Sequence, residues 1–164
     1  MQIPAEKDGT PPTLLVVDDN DTLLQLLDLL LSHHGANVVL ARSGEECLAI
    51  ARCRQIDLVI LDVMMPGMDG IQVSAELKRS SPLLPIILLT AKGDLKTRAA
   101  AMALGVNEFI TKPVYNHELL KRVRTHIGAR QCEKELDRGA AAVARLSDSD
   151  EKSHQPVANP PRNG

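Results

Sequence analysis

The chain has 164 residues, 44% hydrophobic and 24% charged, with a formal net charge of −2. These values suit one soluble domain with a tail and give no basic footprint for nucleic acid. No apolar run approaches the roughly 18 residues of a membrane span, and the polar N-terminus lacks a signal-peptide core. Three cysteines, Cys47, Cys53 and Cys132, show no metal-type spacing and suit free thiols in a reduced, cytoplasmic setting. Aromatic residues make up 1% of the chain, so the core must be aliphatic.

Residues 1–11 read as a flexible N-terminus. The run TLLVV at 13–17 predicts a first strand, and DTLLQLLDLLLSHHG at 21–35 a helix with Gly35 at its C-cap. On that helix Leu23, Leu26, Leu27 and Leu30 are placed on the core face, which leaves Leu24 at its edge. NVVLA (37–41) is a second strand and SGEECLAIARCR (43–54) a helix capped by Ser43. LVIL (58–61), PIILL (85–89) and EFI (108–110) supply three further strands, and the helices lie at 71–80, 94–105 and 117–128. Short continuous apolar runs alternating with helices predict an open parallel sheet covered on both faces. Residues 129–147 read as a short solvated helical extension or linker. Ala129, Cys132, Leu136, Val143 and Leu146 fall on a heptad-like seam interrupted at Gly139, too short for a dimerising coil. The proline-containing stretch 148–164 reads as a disordered tail.

In open α/β sheets, ligands bind at the carboxyl ends of the strands. Here the first strand ends in Asp18 and Asp19, the third in Asp62, the fourth in Thr90, and Lys112 follows the fifth. Parallel strands bring these residues to one edge. Three crowded carboxylates call for a cation, and an all-oxygen donor set suits Mg²⁺ rather than zinc. Each residue also has an ordinary reading: an acid pair at a helix start, a turn aspartate, a strand-end threonine, a surface lysine. The case rests on finding all of them together. The loop DDND lacks the glycines of a flavin or nucleotide phosphate loop. A phosphatase built on an Asp nucleophile wants a second acid two residues later, where this chain has Met64.

The motifs VVDDN, LVILDVMMPGMDG, IILLTAK and GVNEFITKP follow one another over about residues 12–128. As a set, they resemble the receiver domain of two-component response regulators. The resemblance implies a flavodoxin-like (βα)5 fold with strand order 2-1-3-4-5. It implies phosphoacceptance at Asp62 from a histidine kinase or phosphotransfer protein. Asp18, Asp19, Asp62 and the Met64 backbone carbonyl would bind Mg²⁺. Lys112 would pair with the acceptor and then with the phosphoryl group. Thr90 and Phe109 would form the switch pair, with Phe where many relatives carry Tyr. The domain would be a signalling module rather than a classical enzyme. It would act on a downstream protein through helix 94–104, strand 107–110 and helix 117–127, with a phosphorylation-dependent homodimer as one outcome. Leu24 is the residue assigned to kinase docking. The glycines at 67 and 70 are expected to supply backbone conformations closed to other residues. The output domain of a larger regulator is the alternative context.

Overall fold

The computed structural model describes residues 1–91 and 94–151. The described residues divide into two units, the first Met1–Arg130 and the second from Gln131 onward. The first carries five parallel strands: β1 (Thr13–Val17), β2 (Asn37–Ala41), β3 (Leu58–Asp62), β4 (Ile86–Thr90) and β5 (Glu108–Thr111). They pair in the order β2-β1-β3-β4-β5, the open parallel sheet expected from the alternation of runs in the doubly wound order that the resemblance implies. The intervening helices are α1 (Asp21–His33), α2 (Gly44–Cys53), α3 (Gly70–Ser80) and α4 (Leu95–Ala103).

Both faces of the sheet are covered, so every residue of the central strands β3 and β4 is buried. Leu14, Val16, Leu58, Ile60, Ile87 and Leu89 pack on one side with α1 and the first turns of the last helix. Leu15, Val17, Val59, Leu61, Ile86 and Leu88 pack on the other with Cys47, Val73 and Leu77. Alternate residues of one strand thus feed opposite cores, which explains runs that are continuous rather than alternating.

The helix starts follow from local chemistry. Asn20 caps α1, its side chain accepting from the N–H groups of Thr22 and Leu23. Ser43 accepts from the Glu46 N–H at the start of α2. Asp69 and Gln72 form a reciprocal capping box on α3. Gly35, at φ +92°, adopts the left-handed conformation expected after α1.

Several expectations need correction. The N-terminus is anchored: Ile3 is buried among the core residues beside α1, and its N–H donates to the His34 carbonyl at 2.8 Å. A single isoleucine carries no periodicity, so the sequence hides this docking. The last helix, α5, does not stop at Gly128 but runs over Asn116–Glu151. A glycine inside a helix costs only about 1 kcal/mol, which its neighbours offset. The helix therefore takes in residues 129–147 and also 148–151, read as tail; the remainder of that tail lies outside the described residues. Within the second unit, Leu136, Val143 and Leu146 are exposed.

The face of α1 is rotated from the one expected. Leu24, Leu27 and Leu31 are buried, Leu23 and Leu30 are partly buried, and Leu26 and Leu29 are 59% and 73% exposed. Leu24 is 1% exposed and belongs to the core, so it is no docking residue. With seven leucines between positions 23 and 31, several faces are apolar enough to be the buried one, and only the packing selects among them.

Candidate functional site

The five strands are parallel, so Asp18, Asp62, Thr90 and Lys112 all lie at the carboxyl edge of the sheet. Asp18 directly follows β1, its position held by the N–H donated to the Ala41 carbonyl. Asp62 is the last residue of β3. Thr90 closes β4, and its carbonyl accepts the Lys112 N–H at 2.8 Å, fixing where the lysine leaves β5. The Lys112–Pro113 peptide is cis.

The side chains converge. Lys112 Nζ lies 3.1 Å from Asp18 Oδ2 and 3.0 Å from Asp62 Oδ1. Asp18 and Asp62 are 1% and 4% exposed. Asp19 faces solvent, yet it offers a carboxylate oxygen within 4.8 Å of oxygens on the other two acids. Asp18 is further oriented by the Asn20 N–H, which donates to Oδ1 at 2.8 Å.

Two of these acids are buried against one ammonium, and the electrostatics show it. Burial pushes the Asp62 carboxyl above its usual range and Asp18 adds to the rise, while hydrogen bonds from Lys112 and the Met64 backbone only partly offset it. For Lys112, burial works against the charged form, but its hydrogen bonds to Asp62 and Asp18 win and the net shift is upward. One lysine therefore leaves the acid group short of positive charge. A hard divalent cation with oxygen ligands would supply it, and the donor set fits such an ion.

Thr90 is 1% exposed, and its Oγ1 is buried without a hydrogen-bond partner. A buried hydroxyl left unsatisfied is uncommon and points to a missing acceptor. Phe109 is half-buried against the core formed with α2 and α3, and the Arg98 guanidinium sits 5.8 Å from its ring centroid. Arg98 also donates to Thr111 Oγ1 at 2.6 Å. Sequence reasoning missed Arg98 because the pairing of α4 with β5 is visible only in three dimensions. It also missed Glu108, which pairs with Arg122 at 3.0 Å and lies 3.6 Å from His126 Nε2. The i, i+4 spacing of Arg122 and His126 was the available signal. His126 is half-buried.

The turn after Asp62 explains two glycines differently. Gly67 has φ +77°, a conformation that favours glycine, as expected. Gly70 does not; it is required by contact. A Cβ there would lie 2.4 Å from the Asp62 carbonyl oxygen and 2.8 Å from Val63 Cα. The Gly70 N–H donates to the Val63 carbonyl at 2.9 Å, seating the start of α3 directly on the end of β3.

A flavodoxin-like sheet with an acid cluster and a bridging lysine at its carboxyl edge defines a class of signalling domain. Residues 14–124 match the family model described as response regulator receiver domain, and the chain belongs to that family. It is 37% identical over 148 residues to the probable transcriptional regulatory protein TcrX of Mycobacterium tuberculosis, covering 90% of this chain and 63% of that protein. It is 38% identical to the alkaline phosphatase synthesis transcriptional regulatory protein PhoP of Bacillus subtilis, over 68% of this chain and 46% of that protein. The chain thus spans less than two thirds of these curated relatives. A putative response regulator from Chloroflexus aurantiacus J-10-fl superposes with a TM-score of 0.69 at 37% identity, covering 73% of this chain and 99% of that structure. Among the described residues no helix is long and apolar enough to cross a membrane.

Proposed function

We propose that Asp62 is the phosphoacceptor of a two-component pathway, receiving a phosphoryl group from a histidine kinase or a histidine phosphotransfer protein. The observation that carries this reading is the buried Asp62 carboxylate, held by Lys112 beside Asp18 and Asp19. A carboxylate oxygen of Asp62 forms the new P–O bond as the P–N bond of the phosphohistidine breaks, and the electron pair of that bond returns to the imidazole. Catalysis here is positioning and charge neutralisation, since a carboxylate is a modest nucleophile. Asp18, Asp19, Asp62 and the Met64 carbonyl would hold Mg²⁺, which supplies positive charge opposite the transferring phosphoryl oxygens. Lys112 adds a second, compact positive charge from the β5 side.

Thr90 Oγ1, without a partner at rest, donates to a phosphoryl oxygen on Asp62. Its movement frees space for Phe109 to rotate inward, away from the Arg98 guanidinium. The altered surface is α4, β5 and the first part of α5, where a downstream protein or a second copy of the chain docks. This is a shift between two populated states rather than a mechanical push. The output of any larger regulator containing this domain lies beyond that surface.

Incubation with Mg²⁺ and acetyl phosphate tests the assignment. The intact mass is expected to rise by one phosphoryl group, and both Asp62→Asn and chelation of the metal should abolish the gain. Undiminished labelling of Asp62→Asn would overturn the acceptor. Labelling that persists in excess chelator would overturn the metal role of Asp18 and Asp19.

A further inference from the structure

A cavity lies at the opposite, amino-terminal edge of the sheet, away from Asp62. It has a volume of about 340 Å³ and lies between the ends of α2 and α3, the entries to β3 and β4, and Arg130. Four arginines, Arg52, Arg54, Arg79 and Arg130, line it beside one acid, Glu76. Its apolar lining includes Leu48, Ile56, Leu77 and Leu84, the last three almost wholly buried.

Part of this charge has a structural use. Arg52 and Arg79 sit in the last turns of α2 and α3, where a cation complements the helix dipole. Two helix ends offset only about one unit of charge, at roughly half a charge each. Arg79 also pairs with Glu76. That still leaves more than one positive charge uncompensated around a single cavity. Among the described residues neither Arg52 nor Arg54 forms an ion pair. Arg130 is fixed in the wall, its Nη1 donating to the Leu83 carbonyl at 2.9 Å, and its shielded Nε has no acceptor. Repulsion among these side chains is tolerable in water but serves no purpose for stability.

We propose that this cavity binds a nucleoside polyphosphate. The guanidinium forks match phosphate oxygens two at a time and need several negative charges to balance them. The accessible part of the apolar lining, Leu48 and Ala51, takes the edge of a flat ring. A volume of about 340 Å³ falls at the lower end of small-molecule sites, which combine an apolar lining with a few fixed polar groups. The phosphate-bearing edge is separate from the acid cluster, whose charge repels such a ligand. Binding is therefore independent of Mg²⁺ and of Asp62.

Calorimetric titration of the full chain with ATP, AMP and pyrophosphate, in excess chelator, tests this. Saturable binding of ATP is expected, weakening as salt rises. AMP and pyrophosphate should each bind at least about tenfold more weakly, because each lacks one half of the recognised group. Arg54→Gln and Arg79→Gln should each weaken ATP by about tenfold or more, the loss of one charge-assisted contact. Both replace exposed side chains, so unchanged thermal unfolding and unchanged acetyl phosphate labelling will show that the fold and the acid site are intact. Absence of saturable ATP binding in the millimolar range would overturn the proposal, as would pyrophosphate binding as tightly as ATP. Equal ATP affinity in both arginine variants and the parent would overturn it too.

Discussion

Gly70→Ala tests whether the start of α3 sets the position of Asp62. The added Cβ would lie 2.4 Å from the Asp62 carbonyl oxygen and 2.8 Å from Val63 Cα, both backbone atoms that have no rotamer to escape into. An ordinary contact needs at least 3.4 Å, so α3 and the end of β3 must separate by about 1 Å. Overpacking of this kind costs about 1–3 kcal/mol, and the Gly70 to Val63 hydrogen bond stretches with it. The same shift displaces the carboxylate relative to Lys112 and Asp18, and a misplacement of about 1 Å costs roughly 100-fold in a positioned reaction. Urea unfolding should therefore show a lower midpoint, and acetyl phosphate labelling of the folded variant should slow by one to two orders of magnitude. Gly128→Ala is the control. A Cβ there meets nothing within 4 Å, and in a helix interior it should stabilise by about 0.5–1 kcal/mol with labelling unchanged. If Gly70→Ala unfolds and labels like the parent, the contact argument fails.

The rotated face of α1 predicts that Leu24→Ala loses about 2–5 kcal/mol of stability, while Leu26→Ala stays within about 0.5 kcal/mol in the same urea melt; a reversed order would refute the packing. Burial pushes the Cys47 thiol up to about 12 from 9.0, so the folded state keeps a proton that the unfolded chain releases. This contribution is complete below pH 9 and declines as pH rises toward 12, by up to about 1.4 kcal/mol per unit. Stability measured at pH 8 and 10.5 should fall more in the parent than in Cys47→Ala, and equal slopes would refute the assignment. Cys53 and Cys132 are exposed and Cys47 is buried, so a thiol reagent should modify two cysteines in the native protein and the third only after denaturation.

The strands and the identity of the acid edge were legible in the sequence because burial on both faces demands unbroken apolar runs, and Asp18, Asp62 and Thr90 mark where those runs end. The caps of α1 and α2 were equally local: Ser43 and Gly35 act within a few residues of themselves. What needed the tertiary structure was every choice between nearly equal local options. Seven leucines made the face of α1 ambiguous, and the fit against β1 and α5 decided that Leu24 points inward while Leu26 does not. Gly128 is a weak stop signal in an otherwise good helix, and α5 passes through it. Gly70 has an unremarkable backbone, so nothing in its neighbours reveals that it exists to let α3 rest on the Asp62 carbonyl. The site itself divides the same way. The sequence determined which acids reach one edge of the sheet; only the packing of β1, β3 and β5 decided that one ammonium would bridge two buried carboxylates. That leaves Asp19 in solvent and the group short of positive charge, because each distance in the cluster depends on strands that are neighbours in space and not in the chain.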